Sequence, residues 1–222
     1  MVNLKKGHFV GYLMLVAVLA GSLVYMNVSK ADSPFQNEFD KGTDDSAAQE
    51  LNKIEGVKGI PGIVAAIIAR NQSCTIAAVK SARLLARLPA DKVAQVLGLL
   101  PLDLAQRIFV EVARLNQILA AEALVKMFPG PEGITRAASL MEAAMRELRA
   151  SLLPGDDLKA NALLAEVGKN LSLTISGVIV NPFLRTAEFY RALRVLNPLL
   201  ATEFKAMMML SLPVSLIDYV WG

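Results

Sequence analysis

A chain of 222 residues, with 54% hydrophobic and 19% charged positions, has room for one large domain or two small ones beside a terminal segment. Its formal charge of +3 resides in Lys5, Lys6 and Lys30, because residues 1–31 contain no acid and the remainder balances twenty bases against twenty acids. With no Lys/Arg stripe interleaved with aromatics, the composition argues against a nucleic-acid partner. The single cysteine, Cys74, excludes an intramolecular disulfide framework, and the single histidine, His8, excludes histidine-based triads and zinc sites in the body.

The first element is a membrane-directed segment. Residues 1–8 are polar and basic, and residues 9–26 form a run of 18 without a charge. A secretory apolar region spans about 7 to 15 residues and a membrane helix about 20. The run therefore reads as a single span that places Phe9, Tyr12, Leu15, Leu19, Leu23, Tyr25 and Met26 in the membrane. Ser29-Lys30-Ala31 also offers a candidate cleavage site after Ala31. Lys5 and Lys6 ahead of the run predict an N-terminus inside and a body outside. The expectation is a signal anchor (1–31) in the inner, cytoplasmic membrane with a periplasmic body; the alternative is a cleaved signal peptide and a soluble periplasmic protein.

Residues 32–62, rich in Asp, Ser, Gly and Asn, read as an acidic flexible tether. Seven acids against two bases over residues 32–56 make it net −5. Gly56, Gly59 and Gly62 lack the Walker spacing of a phosphate loop and read as a hinge.

From residue 63 to residue 222 the pattern is helical throughout. The mean hydropathy of +0.44 comes from Ala, Leu, Val and Met rather than from aromatics, which make up only 6%. Prolines at 89, 101, 129, 131, 154, 182, 198 and 213 divide the body into short helices, since proline is tolerated in a first turn and breaks a helix elsewhere. Residues 171–180 carry enough β-branched side chains for a strand but have no evident partner strand, so a helix or an irregular apolar segment is expected. The fold class is all-α: a membrane-spanning or signal helix, a flexible tether, then a stack or bundle of short helices.

Within the body, Leu88-Pro89 and Leu100-Pro101 stand twelve residues apart, each followed by an acid, Asp91 and Asp103. Leu85/Leu97 and Val96/Ile108 pair at the same shift. Proline in the first helical position with an acid near the positive end of the dipole starts two helices in succession. Each is too short to be stable alone and is expected to stack on its neighbour. Residues 84–128 resemble the short-helix Leu-Pro repeats of the magnesium-transporter N-terminal domain and the flagellar motor-switch superfamily. The resemblance implies a superhelical stack used for protein contacts. It does not extend to transport, because no multi-span domain accompanies it.

Carboxylate chemistry has few candidates. Glu142 stands at i,i+4 to Arg146, and Glu147 lies between Arg146 and Arg149, which is the pattern of a solvated, salt-bridged helix face. Asp156-Asp157 after Pro154-Gly155 reads as a helix start, and Glu188 stands apart. Arg185, Arg191 and Arg194 form the densest basic cluster. Met207, Met208, Met209 and Trp221 add adaptable and amphipathic apolar groups near the end of the chain. These seven residues are candidates for contact with a protein partner or with anionic lipid, and packing of a terminal helix against the core is the plainer alternative. No catalytic residue, metal or cofactor is expected. The functional expectation is a non-enzymatic, membrane-tethered helical adaptor, scaffold or assembly chaperone, the alternative being a lipid-binding or membrane-active helical protein.

Overall fold

In the computed structural model, residues 59–73, 77–128, 130–177, 181–212 and 221 are described. The segment read as an anchor, with the seven residues assigned to the membrane, the candidate cleavage site at Ala31, most of the stretch read as a tether, and Cys74 lie outside them. Among the described residues there are nine helices and no strand: α1 (Ile60–Ser73), α2 (Ala77–Leu85), α3 (Ala90–Leu99), α4 (Leu102–Leu115), α5 (Gln117–Lys126), α6 (Pro131–Ala150), α7 (Asp156–Gly177), α8 (Asn181–Leu196) and α9 (Pro198–Ser211). The chain is all-α, and the β-branched run after Leu171 continues α7 as far as Gly177. Helix α1 starts at Ile60, inside the stretch read as tether.

The prolines start helices as expected, though Pro89 and Pro101 do so one position earlier than the pattern implied. Both sit at the N-cap with extended ψ values of 148° and 141°, and Asp91 and Asp103 follow in the first turns. An N-cap proline gives up no intrahelical hydrogen bond, and its ring presets φ. Pro131 and Pro198 occupy the first turns of α6 and α9. Leu88 and Leu100, just ahead of the two N-cap prolines, are buried together with Leu85, Leu97, Val96 and Ile108, so the repeated leucines are core residues.

The stacking partner differs from the expectation. Helices α3 and α4, the two starts twelve residues apart, barely touch. Instead α3 packs between α1 and α5, α4 between α2 and α6, α5 between α3 and α7, and α6 between α4 and α8. At the end of the stack α9 rests on both α7 and α8. The odd-numbered helices thus form one layer and the even-numbered helices another, with the apolar core between and within them. An α-solenoid is built this way, each helix pair covering the face that the preceding pair leaves exposed.

The repeating unit is a helix pair rather than a single helix. Asn116 and Asn197, at the breaks α4–α5 and α8–α9, share nearly the same backbone angles (φ −154°, ψ 96° and 95°). Each side chain accepts a 3.0 Å hydrogen bond from the backbone N–H three residues on, Leu119 in one case and Leu200 in the other. Ile108, Val112, Ala120, Ala123 and Met127 of the first pair are buried, as are Phe189, Leu193, Ala201, Phe204 and Met208 at the same offsets from the second asparagine. In α2–α3, with Pro89 in place of the asparagine, the matching residues are Ser81, Leu85, Val93, Val96 and Leu100, all buried.

Two contacts fix the layers against each other. Arg136 of α6 donates from Nε to the Leu97 carbonyl at 2.8 Å and from the guanidinium to the Leu100 carbonyl, closing the C-terminal end of α3. A cation there meets both the unsatisfied carbonyls and the negative end of the dipole. Gly133, in the first turn of α6, lies against Met127, where a Cβ would overlap the carbonyl oxygen and stand 3.0 Å from the carbonyl carbon. At the far end Phe189 meets Phe128 and Phe204 at ring separations of 5.0 and 5.3 Å. Such aromatic pairs contribute about 0.5–1.5 kcal/mol each beyond area burial.

Candidate interaction surface

Charge is sorted between the layers by residue type. Apart from Arg70 on α1, every arginine lies on or directly after α2, α4, α6 or α8, and apart from Lys80 on α2, every lysine from Lys80 onward lies on α3, α5, α7 or α9. Counting the α2–α3 turn with α2, the even layer carries eleven bases and six acids, net +5, and the odd helices carry six of each. The excess charge of the body is therefore confined to one layer.

Ion pairs neutralise the middle of that layer. Arg107 pairs with Asp103 at 3.6 Å, Arg114 with Glu111, and Arg146 with Glu142 at 2.8 Å and Glu147 at 3.4 Å. The shallow concavity between α2, α4 and α6 is lined by these same groups. The carboxylates considered for catalysis are thus tied to arginines or, for Asp157 and Glu188, exposed on helix surfaces. A second concavity, between α3, α5 and α6, includes Asp91, Gln95, Lys126 and Arg136. Its guanidinium is already engaged by the α3 carbonyls. Among the described residues no group of three or more His, Cys, Asp or Glu side chains could hold a metal ion.

Asp156 is the exception to surface placement. Its side chain is fully buried at the start of α7, accepting from Arg114 Nε at 2.8 Å and Lys159 Nζ at 3.0 Å. The hydrogen bond from Arg114 is the main cause that lowers its pKa from 3.8 to about 2; burial acts the other way, and Ser151 and Lys159 reinforce the lowering. The pair ties α4 to the connection before α7, a structural role.

The residues proposed for partner or lipid contact separate. Arg191 and Arg194 are exposed on α8 and Arg185 is half-buried, and none of the three enters an ion pair among the described residues. Met209 is exposed and Met207 half-buried, but Met208 is sequestered in the core and unavailable to a partner. Trp221 is half-buried, with its ring 4.8 Å from Tyr190, 6.5 Å from Phe204 and beneath Lys205 Nζ at 5.2 Å.

Exposed apolar residues stand at three successive connections leading from even to odd helices, and Leu99 and Leu102 flank the odd-to-even connection between α3 and α4. Leu115 and Ile118 flank Asn116, Leu152 and Leu153 lie between α6 and α7, and Leu196 and Leu199 flank Asn197. In a two-layer stack the even-to-odd connections share one edge. The sequence reading missed this edge and the charge division, because both become visible only when each helix is assigned to a layer.

No helix among the described residues is long and apolar enough to cross a membrane. No family model, curated protein or solved structure matches the chain.

Proposed function

We propose that this protein is a non-enzymatic, membrane-tethered scaffold or assembly adaptor, held by residues 9–26 in the inner membrane with its helical body outside the cytoplasm. The observation that carries the reading is the row of exposed leucines and Ile118 at successive even-to-odd connections of a stacked-helix body. Clustered exposed apolar side chains mark protein or membrane interaction sites and ligand-binding grooves. The resemblance of residues 84–128 to motor-switch repeats supports the same reading by analogy of fold.

A photo-crosslinking residue at Leu199, which is 68% exposed, tests it in cells. A discrete protein adduct is expected, and the adduct should disappear when Leu115 and Ile118 are changed to Ser. Adducts formed only with lipid would favour the lipid-binding alternative, which the exposed Val195, Leu210 and Met209 of the last helix pair support.

A further inference from the structure

We propose that the arginine-bearing layer of α2, α4, α6 and α8 is a docking surface for an acidic polypeptide segment, and that its occupant is the chain's own stretch 32–56. The inference does not depend on the membrane reading, since cleavage after Ala31 would leave this stretch attached to the body.

Three observations carry it. The first is charge balance: the layer holds net +5, the stretch holds net −5, and the odd layer is neutral. The second is residue type. Arginine offers a planar fork of donors that matches a carboxylate, whereas lysine presents a strongly hydrated point charge. Ten of the eleven bases of the even layer are arginines, the exception being Lys80, whereas five of the six on the odd helices are lysines, so the even layer has the chemistry for holding carboxylates. The third is vacancy at particular places. Arg107, Arg114 and Arg146 are answered by acids of their own layer, but Arg83 on α2 and Arg185, Arg191 and Arg194 on α8 make no ion pair among the described residues. The unanswered cations thus stand at the two ends of the even row.

The reach is sufficient. At about 3.3 Å per residue, 32–56 extends to roughly 80 Å. Four helices packed side by side at about 8–10 Å span roughly 30 Å from the first to the last. Because stretch and surface belong to one molecule, the effective concentration is on the order of millimolar, so individually weak exposed pairs suffice.

Proteolysis of the full chain in detergent tests the proposal. A glutamate-specific protease cuts after Glu38, Glu50 and Glu55. At low ionic strength the wild-type chain should be cut about tenfold more slowly than a variant with Arg83, Arg185, Arg191 and Arg194 changed to Gln. A second variant, Asp32→Asn, Asp40→Asn, Asp44→Asn and Asp45→Asn, leaves the body and the cleavage sites intact and should lose the protection equally. About 1 M salt, which shortens the screening length to about 3 Å, should erase the difference. A labelled synthetic peptide of residues 32–56 should bind the Asp→Asn variant and not the Arg→Gln variant. Equal cleavage of all three chains at low salt would overturn the proposal. So would binding of phosphatidylglycerol vesicles through the same arginines with cleavage unchanged, which would assign the surface to lipid headgroups. Neither outcome bears on the Leu199 adduct, so this inference and the adaptor reading can fail separately.

Discussion

Two glycines in this stack make opposite predictions for the same substitution. Gly98 lies near the end of α3, and a Cβ built there meets nothing within 4 Å. Alanine in a helix is favoured over glycine by about 1 kcal/mol, so Gly98→Ala should stabilise the protein by up to that amount. Gly133 has the same helical preference, but its Cβ would overlap the Met127 carbonyl oxygen and crowd the carbonyl carbon at 3.0 Å. Backbone cannot rotate aside as a side chain can, so α6 or the turn after α5 must shift, which also disturbs the Arg136 bonds to α3. Overpacking of this kind costs about 1–3 kcal/mol, and the backbone shift places Gly133→Ala at the upper end. After the propensity gain the net loss is about 2 kcal/mol. For a protein of this size, about 2–4 °C per kcal/mol gives a Tm about 4–8 °C lower for Gly133→Ala and about 2–4 °C higher for Gly98→Ala. Thermal denaturation followed by circular dichroism, in one detergent, measures both. A Gly133→Ala chain as stable as wild type would refute the close approach of α6 to α5.

Further substitutions probe other parts of the stack. Asn116→Ala and Asn197→Ala each remove an N-cap acceptor and should cost about 1 kcal/mol in urea denaturation; unchanged midpoints would dissociate the helix breaks from the caps. The Ser81 hydroxyl is buried with no hydrogen-bond partner among the described residues, so Ser81→Ala should stabilise by about 1 kcal/mol, and a loss would reveal a partner. Asp156 has its folded pKa lowered from 3.8 to about 2, so its stabilising contribution is present above the unfolded value and is lost as pH falls through the folded one. Stability should therefore drop between these two values in wild type and drop less steeply in Asp156→Asn. Parallel profiles would mean that the Arg114 pair does not set the carboxyl's affinity for protons.

The all-α class and most helix starts were legible because proline acts locally. Its ring and missing N–H punctuate the chain wherever the core is. The leucines at 85, 88, 97 and 100 were legible as buried for the same reason, since their spacing from the prolines fixes which side of each helix they occupy. What could not be read was which helix packs on which. The twelve-residue repeat suggested neighbours, yet α3 and α4 belong to different layers and to different helix pairs, because successive helices alternate between the layers. Asn116 hid the true unit, as it breaks the chain between α4 and α5 without a proline. Without that break the helices cannot be numbered correctly, and the division of arginine and lysine between layers disappears. Asp156 was read as a simple helix start, since its partner Arg114 lies 42 residues earlier and only the tertiary structure brings them together.

The measurement closest to the central claim is the location and mass of the mature chain. Cells are fractionated, membranes are washed with alkaline carbonate, and the intact mass is determined, with external protease applied to spheroplasts. An anchored adaptor predicts a full-length chain that resists carbonate and whose body is degraded from outside. A chain beginning at Asp32 in the soluble fraction would contradict the anchor, and a protease-protected chain in the cytoplasmic fraction would contradict export altogether.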